Sequence, residues 1–311
     1  MKLVDGVLHS YSGLIPEYNK NIAQFRTLAT SLGEEFSLLD YRYFVIQMLY
    51  LVEYADYNSQ NKLGNGLVNG QSAKALIAET GVNRIIVSST NLYVGRIVGI
   101  GTDWASNSVA KDRKITKVEN YSDGNVSGKV IYFDGDPVNI AVNNTIWGSG
   151  QESGQCDELG MKSGCLINDS IHSMIYRGIE NIFGNMWQFV DGMNIKDRIM
   201  YLCKDHTKYK SDLFESPYKK LGYTNGDTNG YVKALGFDPD EPLARFPIEV
   251  GAGASSGMSD YYWQNPGNRI ALVGGNFRNG ANCGFWFWGL NLDSSFANVG
   301  RGCRVLIDNQ K

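Results

Sequence analysis

The sequence predicts an α+β domain in which two helices pack on small, irregular antiparallel sheets joined by many loops. Three observations lead to this. The segment from Asp40 to Gln60 carries apolar residues at helical spacing. Residues 84–147 break into short β-favouring runs separated by Gly, Asn and Asp turns. The chain holds 36 Gly beside 18 Tyr and 6 Trp, a balance that favours loop-rich architecture over a helical bundle.

Residues 1–20 contain Gly6, Gly13 and Pro16 with little periodicity, and are expected as an arm leading into a domain over 21–311. A first helix is expected from Asn21 to Ser31, where Ile22, Phe25, Leu28 and Ala29 share a face and Gly33 suits the C-terminal end. Asp40 can cap a second helix. Its apolar face is read as Tyr41, Phe44, Val45, Met48, Leu49, Val52 and Ala55, directed at the core, with an end near Asp56. Residues 61–80 begin as a Gly- and Asn-rich loop.

Strands follow at Arg84–Ser88, Arg96–Ile100, Ile115–Asn120 and Lys129–Phe133, with turns at Asp123-Gly-Asn and Asp134-Gly-Asp. No linker flanks residues 84–147, so they read as a β-rich insertion. The Asp-Gly-Asp cluster lacks the twelve-residue loop and closing Glu of a helical Ca²⁺ site. Residues 148–170 return to Gly-rich loop. A tight turn at Gly184-Asn185 is expected to enter a strand on which Trp187, Phe189 and Asp191 alternate with Met186, Gln188 and Val190. Asp197–Cys203 reads as a strand, followed by a polar, Tyr- and Lys-rich surface excursion up to Tyr231. Gly251–Gly257 reads as flexible backbone. Tyr261 and Tyr262, just before the final segment, are expected to be exposed.

That final segment, residues 268–306, contains no Lys and no Glu. Its polar residues are mostly Asn, Ser and Arg, set among Phe, Trp and Gly. Rigid aromatics beside small, adaptable hydrogen-bonding residues suit a contact surface. Glycine-rich loops of an all-β core that happen to be aromatic would read the same way. Ile270, Leu272 and Val273 form one short strand, Phe285–Trp288 an aromatic run, and Val299–Ile307 a closing strand.

Four motifs in this segment carry a resemblance: Gly274-Gly275-x-Phe277, Gly280-x-x-x-Gly284-Phe285-Trp286, Leu290-x-x-Asp293-Ser294-Ser295 and Val299-Gly300-x-Gly302-x-Arg304. Together they resemble the C-terminal variable region of the target proteins of diversity-generating retroelements, phage and bacterial proteins with a C-type-lectin fold. Ile46–Gln60 is similar to the main helix of gut-phage tail proteins that carry such a domain. Gly184-Asn185-x-Trp187-x-Phe189-x-Asp191 and Glu53-Tyr54-Ala55 are similar, more distantly, to the formylglycine-generating (sulfatase-modifying) family, which shares the fold. The resemblance runs from about Asn21 to Ile307.

It implies a C-type-lectin-like fold and a ligand-binding surface over residues 265–307, diversified by copying errors at adenines. The positions implied as variable are Asn276, Arg278, Asn279, Asn282, Phe287, Gly289, Asn291, Asp293, Phe296, Asn298 and Arg301. It further implies a tail or tail-fibre protein of a virion, trimeric display, and a protein or glycan of the host surface as ligand.

Other classes fit less well. A net charge of −3 argues against nucleic acid as partner. No apolar run spans a membrane, and Met1–Ser10 has no segment of signal-peptide length. Five cysteines without a CxxC read as free thiols, although a Cys156–Cys165 pair remains open. The formylglycine-generating oxidoreductases need two closely spaced thiols. Here Asn279 stands where the first would be, and Cys283 has no neighbour to complete Cu(I) ligation. His9, His172 and His206 fall in no catalytic motif, and no hydrolase or phosphate-loop signature occurs. The expectation is therefore a binding protein without catalytic residues, metal or cofactor. The alternatives are that oxidoreductase, or a structural tail protein whose aromatics are covered by a neighbouring subunit.

Overall fold

A computed structural model describes residues 1–224, 229–253, 255 and 258–308. The chain divides into two compact units, one of residues 1–68 and 153–311, the other Asn69–Glu152.

The smaller unit is a six-stranded antiparallel sheet. Its order is Ser72–Lys74, Thr145–Gly148, Ile97–Gly101, Ala110–Ser122, Ser127–Phe133 and Arg84–Val87. Its core is Ile85, Val87, Val98, Ile100, Ile115, Ile131 and Ile146. These are β-branched residues, which pack well on a pleated surface. The long central hairpin turns at Asp123, whose carboxylate accepts from the amides of Asn125 and Val126 at 2.9 and 2.8 Å. The unit is wider than residues 84–147, because Ser72–Lys74 belongs to its sheet.

The larger unit begins with helix α1, Ile22–Thr30. Asn21 caps it through a reciprocal pair: its side chain accepts from the Gln24 amide, and the Gln24 side chain accepts from the Asn21 amide. Phe25 and Ala29 are buried. Arg26, on the same helix, donates to both carboxylate oxygens of Asp191 at 2.7 and 2.8 Å, tying α1 to the strand Trp187–Lys196. Gly184 (φ +71) and Asn185 (φ +51) make the tight turn before that strand. A side chain at Gly184 would meet the Leu67 carbonyl oxygen at 2.6 Å.

Asp40 caps the short helical turn Tyr41–Tyr43, which runs into α2, Phe44–Tyr54. The face of α2 that meets the core is not the expected one. Phe44, Gln47 and Tyr50 are buried, whereas Val45, Met48, Leu49 and Val52 are 42, 39, 40 and 81% exposed. Tyr43, Gln47, Tyr50 and Tyr54 form a second stripe of equal regularity. Aromatics bury more surface than aliphatics. Tyr50 packs edge-on against Phe285, Trp286 and Tyr176. Gln47 donates to the Phe285 carbonyl at 2.6 Å. Ala55, in the left-handed region, ends the helix. Glu53 accepts from the Tyr176 hydroxyl and Arg177 at 2.9 and 3.1 Å, anchoring that turn. A one-turn helix, α3, follows at Ser59–Leu63.

The rest of this unit is dominated by one sheet that curls into a half-barrel. Its order is Lys219–Thr224, Ile199–Leu202, Trp187–Lys196, Asn268–Gly274, Gly284–Leu290, Tyr261–Gln264, Gly230–Asp238 and Glu241–Ala252. Arg301–Gly302 lies parallel to Trp187–Lys196, and Val305–Ile307 pairs with Phe36–Leu38 elsewhere. The central strands are buried on both faces. Trp187–Ile195 and Gly284–Leu290 are buried throughout, so their alternation does not separate core from solvent.

The α+β expectation is thus corrected. The protein is mostly β, with only α1 and α2 exceeding two turns, and is not helices laid on small sheets. The main source of the error is residues 204–252. Ile199–Leu202 falls within the expected strand Asp197–Cys203. Beyond it, the polar excursion expected up to Tyr231 contains the strand Lys219–Thr224, and the hairpin of Gly230–Asp238 with Glu241–Ala252 is not among the expected strands. There Val232, Ala244 and Phe246 are buried beneath Lys- and Glu-bearing outer positions. Of the Gly251–Gly257 stretch, Gly251 and Ala252 end that hairpin, and residues 254, 256 and 257 lie outside the described residues.

Candidate functional site

The strand Tyr261–Gln264 orders the candidate surface. Its residues alternate, Tyr261 and Trp263 partly exposed, Tyr262 and Gln264 buried. The expectation that both tyrosines are exposed is therefore corrected for Tyr262, which is 1% exposed. A strand cannot present adjacent side chains to one face.

Tyr261 and Trp263 belong to a continuous aromatic strip. Tyr231 meets Tyr261 edge-on at 5.1 Å between ring centroids, and Tyr261 meets Trp263 at 5.8 Å. Trp263 rests on Phe287 at 5.2 Å, and Phe287 on Trp187 at 4.4 Å. Phe287 and Trp187 are buried and support the strip. At one end the Tyr231 hydroxyl donates to Asn282 Oδ1 at 3.1 Å. At the other, the Trp187 amide donates to the Gly300 carbonyl, beside Arg301. The strip thus joins the two loops, residues 275–283 and 291–300, that hold most of the candidate positions.

Within those loops the side chains divide. Asn276 is buried and accepts from the Arg278 amide; Asn279 Oδ1 accepts from the Asn276 amide, and Asn298 Oδ1 from the Gly300 amide. These three asparagines fold their own loops, as short amide side chains do. Asp293 does likewise. The Ser295 hydroxyl, and then its amide, donate to the carboxylate and hold it below the usual carboxylate range. Phe287 and Gly289 are interior to the sheet, so their side-chain positions do not reach solvent. Arg278 is exposed, and Asn282 and Asn291 are partly exposed. Arg301 lies over the Phe296 ring at 4.7 Å. Burial lowers its pKa to about 10, and its Nε–H has no partner among the described residues.

The surface brought together is therefore Tyr231, Tyr261 and Trp263, edged by Arg278 and Asn282 on one loop, by Asn291 and Phe296 on the other, and by Arg301 just after it. Aromatic faces, amides and guanidinium groups can stack on a sugar ring or peptide side chain and hydrogen-bond its edges. Tyr231 and Trp263 were missed from sequence. The period-two rule applied to 261–264 selects Trp263 with Tyr261; Tyr231 arrives from a distant hairpin and has no local signal. No protein-family model matches the chain, and no curated protein matches it.

Beneath this surface Asp260 is fully buried and accepts from the Trp286 amide at 2.8 Å. Burial raises its pKa well above the usual value, against the opposing pull of that one bond. The five cysteines are unpaired, Cys156 and Cys165 included. Burial raises the Cys283 thiol, which therefore stays protonated and poorly nucleophilic.

Proposed function

We propose that this chain is a ligand-binding protein rather than an enzyme. In this reading the aromatic strip and its flanking loops contact the ligand. One observation carries the reading: Tyr261 and Trp263 stand on a strand of a large sheet, over a buried aromatic base, between two loops that present Arg278, Asn282 and Asn291, with Arg301 on the short strand that follows the second loop. Anchors fixed by the core lose little entropy on binding, and the loops offer adaptable polar contacts.

The motifs of residues 274–304 support a more specific form. The chain would be a retroelement-diversified variable protein of a phage tail or tail fibre. Its ligand would be a protein or glycan of the host surface, and trimeric display would raise avidity without new contacts. The exposed and partly exposed loop positions fit that form in one respect. Change at Arg278, Asn282 or Asn291 leaves the buried strand Gly284–Leu290 untouched. No helix is long and apolar enough to cross a membrane among the described residues.

Two measurements test this. The gene neighbourhood is read for a near-copy of the codons for residues 270–307 that differs only at template adenines, with a reverse transcriptase beside it. Binding of the purified chain to bacterial surface extracts and glycan arrays is compared with that of Trp263→Ala and Tyr261→Ala. Loss of binding in both variants, with unfolding unchanged, is expected. A chain that binds equally well without both rings does not use this surface.

A further inference from the structure

The larger unit contains a cavity of about 630 Å³ that shares no lining residue with the aromatic strip. That volume lies in the range of small-molecule sites. Its apolar wall is aliphatic in the main: Leu39, Ile46 of α2, Ile175 and Ile179, and Leu306. The segment Ser10–Ser12 and residues 153–157 also line it, and they are stitched together. The Gly13 amide donates to the Ser153 carbonyl at 2.8 Å, and the Ser12 hydroxyl to Asp157 at 2.7 Å.

The polar part of the wall is unbalanced. Arg304 donates from Nε to Gln188 Oε1 at 2.8 Å, and from Nη2 to the backbone carbonyls of Glu180 and Asn181 at 2.8 and 3.3 Å. All three acceptors are neutral, and no carboxylate is among its hydrogen-bond partners in the described residues. Burial lowers the pKa of Arg304. Arg304 is partly exposed at the cavity wall, and a cation there with only neutral hydrogen-bond partners favours an anion beside it. Two carboxyl groups line the cavity. Asp157 takes the Ser12 hydroxyl. Glu180 accepts from the Gly154 amide at 2.6 Å, and burial raises its pKa, disfavouring its charge. The thiols of Cys156 and Cys303 are also raised by burial and contribute no negative charge.

We propose that this cavity binds a free aliphatic carboxylate, its head group paired with Arg304 and its chain lying along Leu39, Ile46, Ile179 and Leu306. A carboxylate supplies a paired counter-charge, taken by the N–H groups of Arg304 Nη1, the nitrogen left outside the three bonds above. The aliphatic wall suits an alkyl chain better than a sugar or nucleotide.

Titration calorimetry of the full chain with octanoate, octanol and octylammonium tests the assignment. Octanoate is expected to bind saturably, one per chain, at least tenfold tighter than the other two. Arg304→Met is expected to bring octanoate down to the level of octanol. Because that variant can also fail to fold, Ile179→Trp provides a second arm: it fills the cavity, leaves Arg304 in place and is expected to abolish octanoate binding. The proposal is overturned if octanoate does not saturate, if octanol or octylammonium binds as tightly, or if binding survives Ile179→Trp. A purely structural Arg304 would change the unfolding midpoint in Arg304→Met without any difference between the three probes.

Discussion

The pair Arg26–Asp191 joins the first helix to the central strand, and breaking it from the cationic side gives a quantitative test. Asp191 is 3% exposed at its side chain and Arg26 16%. Arg26→Met keeps most of the side-chain volume but removes both bonds to the carboxylate and a third to Ser211 at 3.2 Å. Removing one partner of a buried pair costs roughly 3–5 kcal/mol, because the other charge stays in place unpaired. Here the Gly192 amide still donates to Asp191 Oδ1 at 2.9 Å. That remaining bond, worth about 1 kcal/mol, sets the expectation near the lower limit, at about 3 kcal/mol. Urea unfolding followed by tryptophan fluorescence reads the change, since Trp187, Trp263, Trp286 and Trp288 all lie in this unit. Adding Asp191→Asn to Arg26→Met removes the stranded charge and is expected to recover at least half of the loss. A single variant within about 1 kcal/mol of the parent, or a double variant no better than the single, refutes the account of a buried and mutually dependent pair.

Three further outcomes are expected. On α2, Gln47→Ala should cost about 2 kcal/mol by stranding the Phe285 carbonyl, whereas Val52→Glu should stay within about 0.5 kcal/mol; the reverse order in denaturant titrations would restore the other helix face to the core. Burial raises the Asp260 carboxyl well above that of an unfolded Asp, which loses its proton near pH 3.9, about the ordinary value. Its contribution to stability is therefore fully present below that pH and is lost as pH rises toward the folded pKa, by at most about 1.4 kcal/mol per pH unit. Asp260→Asn should remove that slope and gain on the parent at pH 8, read from unfolding midpoints across pH. Finally, Gly275 (φ +77) would place a new Cβ 2.5 Å from Cys283 Sγ and 2.7 Å from the Phe287 ring, whereas Gly280 (φ +56) has open space. Gly275→Ala should cost at least about 2 kcal/mol in thermal unfolding, and Gly280→Ala about 1 kcal/mol from backbone strain alone.

Local signals were legible where one short-range term dominates. The reciprocal Asn21–Gln24 cap marks the start of α1 within a residue of the expected helix. The β-branched runs around Ile85, Ile97 and Ile131 appear as strands close to the expected bounds, whereas the strand around Ile115 begins at Ala110, five residues before the expected start. Where two terms compete, the sequence was ambiguous. Periodicity gives the spacing of a stripe on α2 but not which of two stripes faces inward. The preference for Tyr43, Gln47 and Tyr50 comes from Phe285 and Trp286, more than 200 residues away. The hairpin over 230–252 was hidden by residues such as Lys233, Pro242 and Glu249, which occupy exposed positions while Phe246 and Ala244 turn inward. At the candidate surface the loops were visible as Asn-rich stretches. The division between asparagines that fold the loop and those that look outward depends on backbone geometry and has no composition signature.

The smaller unit enters and leaves through neighbouring strands. Ser72 pairs with Trp147, and the Gly148 amide reaches the Gln71 carbonyl at 2.7 Å. A segment whose two ends emerge side by side makes a small demand on its host: only a short gap has to be bridged, whatever lies beyond it. Deleting residues 72–147 and closing the gap with a few glycines asks the host chain for little more than a tight turn. The same position could accept a foreign domain with adjacent termini. Length could thus be gained or lost there without redrawing the curled sheet that carries the aromatic strip.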